Sequence, residues 1–208
     1  MANQTHPNGA AAMNTTVKTV VLPATRREVP ASLAEFSVSS LKQMQGMDGV
    51  VVNANVRHAS RKGVVGMILN DGFGGGTKFR GNDREVQQEW DAAMTDSGPF
   101  AATETYDYED SDGNRFSGTF HESLALEIAP EWLVSEYEQA KALNRYFKKG
   151  ETPVQTKSQR AEGGVEFFRY RTKDVAKITA AQVAAKEAQF SYWTADGWVE
   201  VNADFLTP

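Results

Sequence analysis

The chain has 208 residues, a formal net charge of −5, 40% apolar and 24% charged residues, and no cysteine. That length buries a sizeable core as one domain with extensions or as two small domains, and the missing thiols exclude disulfides, thiolate zinc sites and a cysteine nucleophile. No apolar run reaches the roughly 18 residues of a membrane span, and the N-terminus lacks the charged-then-apolar pattern of a signal peptide, so a soluble cytoplasmic protein with no membrane partner is expected.

Taken in order, Met1 to Thr16 is small and polar and reads as a disordered tail. Val17 to Leu22 suits a short strand stopped by Pro23. Arg26-Arg27 and Pro30 read as a linker. Leu33 to Gln43 alternates in part, with Leu33, Phe36 and Val38 among small polar residues. After the turn signal Met47-Asp48-Gly49, the run GVVVNANVR places Val50, Val52, Ala54 and Val56 on one face of a second strand. Ser60 to Gly63 turns again, and Val64 to Leu69 is a third strand. Three strands joined by tight turns predict an antiparallel meander.

Asn70-Asp71-Gly72 closes that strand, and a glycine-crowded loop follows. Asn82 with Glu85 three residues later forms a capping-box pattern for the next helix. Val86, Trp90, Ala93 and Met94 mark its buried side, and Ser97-Gly98-Pro99 ends it. Thr105 to Phe120 reads as an acidic hairpin turning at Asp112-Gly113. Pro130 suits the first turn of a long helix over Glu131 to Lys149, buried through Leu133, Tyr137, Ala140 and Phe147. Glu151 to Gly164 is polar and reads as mobile. Val165 to Arg171 is a strand candidate. Thr179 with Gln182 suggests the cap of a shorter helix, and Asp196-Gly197 between two aromatic runs predicts a hairpin over Phe190 to Asn202. The predicted class is α+β, an antiparallel β-meander packed by two or more helices, with a C-terminal β-hairpin. The layout is a tail over 1–16, a core over 17–150 and an extension over 151–208 that packs on the same domain.

The middle of the chain resembles a widespread family of small uncharacterised proteins from phages and bacterial genomes. The residues that carry the likeness are Asn70, Asp71, Gly72, Gly74 and Gly75, then Asp83-Arg84 at the helix start. The family often has a cysteine and an asparagine after its glycines, where this chain has Gly76 and Thr77. The resemblance implies no activity. It implies a mobile-element origin, with phage favoured over other elements.

Each candidate site has a plain structural alternative. The glycines permit positive φ, and successive free N–H groups in such a loop can hold an anion. A phosphate loop or dinucleotide fingerprint, however, needs glycine where Thr77 stands. A wide turn tied by the Asn70 and Asp71 side chains is the favoured reading. The alternative, a partner site or a small-ligand or nucleotide-binding protein or enzyme built on this loop over 70–84, uses Asn70, Asp71, Gly72, Gly74, Gly75, Lys78, Arg80 and Arg84.

Charge is polarised. Thr103 to Glu138 carries ten acidic residues and one basic, whereas Lys141 to Lys173 carries nine basic and three acidic. The basic stretch interleaves Tyr146, Phe147, Phe167, Phe168 and Tyr170 with its cations, a composition that suits single-stranded nucleic acid. Lys141, Arg145, Lys148, Lys149, Arg169 and Arg171 would carry that alternative, against an acidic pI of about 5.3. Asp107 to Asn114 fails the spacing of a calcium loop, because Tyr108 and Thr119 would fall where carboxylates are required. His6, His58 and His121 show no metal-ligand spacing and sit in no nucleophile motif. No catalytic residue, metal or cofactor is therefore expected. The leading expectation is a non-catalytic interaction module that binds a host or phage protein.

Overall fold

The computed structural model describes residues 18–73, 75–95, 104–109, 113–120, 123–161, 166–187 and 189–202, without the side chains of 95, 104–109, 116–120, 123–127, 158 and 161. The expected tail over 1–16, the helix stop at Ser97-Gly98-Pro99, His6, His121 and Gly74 lie outside these residues, as do the side chains of most of the acidic hairpin.

The fold is mixed α+β, built from antiparallel sheets. The predicted meander is present with a fourth strand. β3 (Phe36–Gln45), β4 (Val50–His58), β5 (Gly66–Asn70) and β6 (Lys78–Gly81) lie in the order β3-β4-β5-β6. Their inner face carries Phe36, Val52, Ala54, Val56, Ile68 and Phe79, all buried, in the two-residue period of a sheet with one wet face. Leu33–Glu35 is a turn of 3-10 helix, so β3 starts three residues later than its alternation suggested. β3 has a bulge between Val38 and Ser40. Gly66 is required by close approach, since a Cβ there would sit 2.6 Å from the Arg80 carbonyl and the Phe79 ring.

The N-terminal stretch is not a linker. β1 (Thr19–Val21) pairs antiparallel with β2 (Glu28–Pro30), because Leu22 and Val29 are apolar enough to join the main core.

α1 (Arg84–Thr95) lays Val86, Trp90, Ala93 and Met94 on the sheet, as its periodicity predicts. Trp90 stacks on Phe79 at 4.3 Å and meets Phe36 edge-on at 5.1 Å. The helix cap is Asp83 rather than Asn82. Asp83 Oδ1 accepts from the Val86 N–H at 2.9 Å, while Asn82 Nδ2 donates to the Val64 carbonyl at 2.7 Å. Glu85 turns to Arg61 instead of closing a capping box.

β7 (Glu104–Glu109) and β8 (Arg115–Phe120) pair with each other and form a separate two-stranded sheet. α2 (Ser123–Lys148) follows and begins eight residues before the predicted start at Glu131. Pro130 lies inside it. Proline there forgoes one backbone bond, but buried Ala129, Leu133 and Val134 continue the apolar stripe through it.

The first part of the segment read as polar and mobile is a central strand. β9 (Thr152–Thr156) is buried at all five positions, between β10 (Phe168–Tyr170) and β11 (Gln189–Thr194). Its polar side chains bond outside the strand: Thr152 Oγ1 donates to the Thr172 carbonyl at 2.6 Å, and Gln155 Nε2 to the Glu166 carbonyl at 3.1 Å. β12 (Gly197–Asn202) completes a sheet of order β10-β9-β11-β12, and the β11–β12 hairpin turns where predicted. β10 is shorter than the predicted Val165 to Arg171. α3 (Lys157–Ala161) follows β9. α4 (Val175–Ala184) is capped by Asp174, which accepts from the Ala176 and Lys177 N–H groups, so Thr179 is mid-helix. Gln182, read as part of that cap, is buried and donates to the Tyr170 hydroxyl at 2.8 Å. None of the described helices is long and apolar enough to cross a membrane.

α2 joins the two four-stranded sheets. Its first half contributes Ala129, Leu133 and Val134 to the core of the first. Its second half sets Ala140, Leu143 and Phe147 against Trp193 and Trp198 of the second. Between them, the Glu136 carboxylate accepts from the Ala24 N–H at 2.7 Å, the Thr25 N–H at 2.7 Å and the Thr25 hydroxyl at 2.8 Å. The same loop accepts Trp198 Nε1 on the Ala24 carbonyl at 3.0 Å. Arg26 stacks on Trp198 and pairs with Glu200 at 2.8 Å; burial pulls its guanidinium below the ordinary value, and the Glu200 carboxylate opposes that pull.

Removing the carboxylate leaves two backbone donors and a hydroxyl half-buried. Glu136→Ala is predicted to cost about 3 kcal/mol, because bonds to a charged acceptor are worth about 1.5–3 kcal/mol each and do not add fully. Glu136→Gln keeps one acceptor oxygen and should cost about half as much. Urea unfolding midpoints check both, and equal midpoints for the two variants and the parent would contradict the clamp.

Candidate functional site

The glycine loop closes on itself. Asn70 Oδ1 accepts from the Gly72 N–H at 2.8 Å, and Asn70 Nδ2 donates to the Gly75 carbonyl at 3.1 Å and to Thr77 Oγ1 at 3.2 Å. Asp71 Oδ1 accepts from the Phe73 N–H at 3.0 Å. Gly72 has φ +74°, and a Cβ there would lie 2.8 Å from Val51 Cγ2, so this position needs glycine twice over. Its carbonyl accepts from Asp48, which docks the loop on the β3–β4 turn. The Gly72 and Phe73 amides, two of those an anion would use, are thus already bonded inside the loop. Lys78 and Arg80 alternate with buried Phe79 and share the solvent face of β6, and Arg84 is exposed at the start of α1. Among the described residues, no ion pair or hydrogen bond links these three side chains to the loop. The structure brings together Asn70, Gly72, Gly75 and Thr77, and it does not gather the charged candidates around them.

His58 sits in a second place of chemical interest. A cavity of about 420 Å³ is lined by Ser32, Glu35, Phe36, His58, Ser60, Glu89, Ala92 and Ala93. Ser60 Oγ lies 2.9 Å from His58 Nδ1, and His58 Nε2 lies 3.2 Å from Glu35 Oε2. The order of groups matches a serine–histidine–carboxylate relay. The neighbouring amides are spent, however. The Ser60 N–H donates to His58 Nδ1 at 3.3 Å, and the Arg61 N–H to the His58 carbonyl at 3.1 Å. Neither can steady an oxyanion. The cluster locks the turn after β4, with the imidazole edge-on to Phe36 at 4.7 Å. Arg61 is bound alongside by Glu89 at 2.6 Å, which holds its guanidinium above the ordinary value.

The basic stretch divides. Lys141, Arg145, Lys148 and Lys149 line one open cleft of about 840 Å³ together with Leu41, Gln43, Glu138, Ala142 and Asn144. Lys141, Arg145 and Lys148 follow helical i, i+4, i+7 spacing and project from one face of α2. Leu41 and Gln43 come from β3, opposite Ala54 and Val52. Asn144 is fixed by Trp193 Nε1 at 3.0 Å. Among the described residues, none of the four cations has a carboxylate partner, and Lys141 lies over the Tyr137 ring at 5.7 Å. Arg169 belongs elsewhere, stacked on Tyr146 at 4.9 Å and 3.7 Å from Glu151. Arg171 is exposed beyond β10 and does not line the cleft. The interleaved aromatics are used internally. Tyr146 meets Phe167 edge-on at 5.7 Å, Lys173 caps Phe147 at 4.0 Å, and the Tyr170 hydroxyl takes Gln182. Phe168 alone of the five is exposed.

The composition of the basic stretch named the four cations of the cationic wall, and helical spacing accounts for three of them sharing a face. Its other wall was missed, although Gln43 at an inward position past Leu41 is the signal that the core ends there. Among the described residues no cluster of histidine and carboxylate groups is arranged to hold a metal ion. No protein-family model, curated protein or solved structure matches this chain.

Asn70 carries three bonds of the loop. Asn70→Ala is predicted to lower stability by about 1–2 kcal/mol through the unsatisfied Gly72 amide and the lost bond to the Gly75 carbonyl. Asp71→Ala, at an exposed site, should cost under about 1 kcal/mol. Thermal unfolding of both variants checks the order, and a larger loss for Asp71→Ala would contradict it.

Proposed function

We propose that this chain is a non-catalytic binding module that holds an anionic segment of a partner protein in the cleft between β3 and the second half of α2. The observation that carries the reading is the convergence of Lys141, Arg145, Lys148 and Lys149 on one cleft with no internal carboxylate partner among the described residues. Cations in a last helical turn also complement the macrodipole, which accounts for Arg145 and Lys148. It does not account for Lys141, placed higher on the same face. A protein partner is favoured over nucleic acid because four of the five interleaved aromatics are engaged in internal contacts, which removes most of a base-stacking platform. An accessory role in a phage or another mobile element fits such a module, with a host or phage protein as its partner.

Polyglutamate serves as a generic acidic probe. Titrated into the isotopically labelled protein, it should shift the amides of Leu41, Gln43, Asn144 and Arg145. Lys141→Glu with Arg145→Glu should weaken binding about tenfold or more, with steep loss as salt rises. Shifts centred on Asn70 to Arg84, or binding indifferent to the double reversal, would contradict the proposal.

A further inference from the structure

β3 is an outer strand of its sheet. It pairs with β4 on one side, and among the described residues no strand pairs with its other side. Among the described residues, no backbone hydrogen bond from outside the sheet reaches positions 37–45. Such an edge presents a row of free N–H and C=O groups, and proteins ordinarily guard it with charge, proline, bulges or brevity. The opposite edge obeys that rule: β6 has four residues, two of them Lys78 and Arg80. β3 obeys it only at its start. The bulge at Val38 and Ser40 guards the first half. Leu41 to Gln45 has no proline, no bulge and one charge, Lys42. That unguarded half is the part that borders the cleft, through Leu41 and Gln43.

Two incomplete surfaces therefore lie side by side. One offers backbone hydrogen bonds in a line. The other offers cations stepped along α2, about 6 Å apart for an i, i+4 pair. Alternate side chains of an extended peptide are about 6.7 Å apart. A single strand laid on β3 would give its backbone to the edge and a row of carboxylates to α2.

We propose that the cleft takes an extended acidic segment of another protein, added as a fifth strand to the free edge of β3 at Leu41–Gln45 and read by Lys141, Arg145 and Lys148. This deepens the reading of the cleft given above and rests on it. Main-chain bonds supply affinity in such strand addition, and alternate side chains supply specificity. A nucleic-acid strand matches the cations but has no amide ladder for β3.

The test uses a ten-residue alternating threonine–glutamate peptide against the intact protein, measured by calorimetry. Versions N-methylated at every second amide, in each of the two phases, remove one hydrogen-bonding edge at a time without altering the protein. Binding should fall about tenfold or more with methylation in one phase and change little in the other, as expected when several main-chain bonds of about 1 kcal/mol are lost. The threonine–lysine analogue should not bind. Equal sensitivity to both phases, or none, overturns strand addition and leaves the anionic cleft standing. Failure of every acidic probe overturns both readings. Tighter binding of oligothymidylate than of the peptide overturns the choice of a protein strand. A homodimer in sedimentation that Lys141→Glu dissociates would make the occupant a second copy of this chain and overturn a foreign one.

Discussion

The structure depends on α2 serving two sheets at once, and that arrangement is closed by the Glu136 carboxylate. Ala129 and Leu133 belong to one core, and Leu143 and Phe147 face the other. A helix so shared has to be long, and its 26 residues span about 39 Å at 1.5 Å per residue. Glu136 sits between the two contacts and grips the Ala24–Thr25 loop. That loop also receives Trp198 from the second sheet and carries Arg26 to Glu200. The N-terminal strands, α2 and the last hairpin thus meet at one set of charge-assisted bonds.

The candidate cleft is a consequence of that length. A helix that covers only the first sheet would stop near Val134. α2 continues to Lys148 and packs on the second sheet, and its exposed face there bears the cations. β3 is left with its outer edge beside them. The site owes its position to the need to join two cores, and its chemistry to residues free of that need.

The elements legible in the sequence were those whose period was written in apolar residues. Val52, Ala54 and Val56 announced β4, and Val86, Trp90 and Ala93 announced α1. β9 was illegible because Thr152, Gln155 and Thr156 are polar and yet buried, and Thr152 and Gln155 bond carbonyls distant in sequence, those of Thr172 and Glu166. β6 hid behind one apolar residue, Phe79. Pro130 looked like a helix start because proline is common there, whereas the buried stripe runs through it. Asn82 and Asp83 are both good caps, and the choice was made by the Val64 carbonyl, which drew Asn82 away. Of the candidate sites, the self-closure of the Asn70 loop followed from side chains that bond nearby backbone. Lys141, Arg145 and Lys148 were named from the composition of a basic stretch, and helical spacing accounts for their shared face. That Leu41 and Gln43 face them is a tertiary fact, and the polar Gln43 at an inward position is its only local trace.

The central claim is that the β3 edge beside α2 stands open in the free protein. Residue-resolved amide hydrogen exchange tests it most directly. Over Leu41–Gln45 the amides that face β4 should exchange slowly and those between them quickly, in strict alternation. Slow exchange at every position of that segment would mean the edge is already paired, and the account of the cleft would be contradicted.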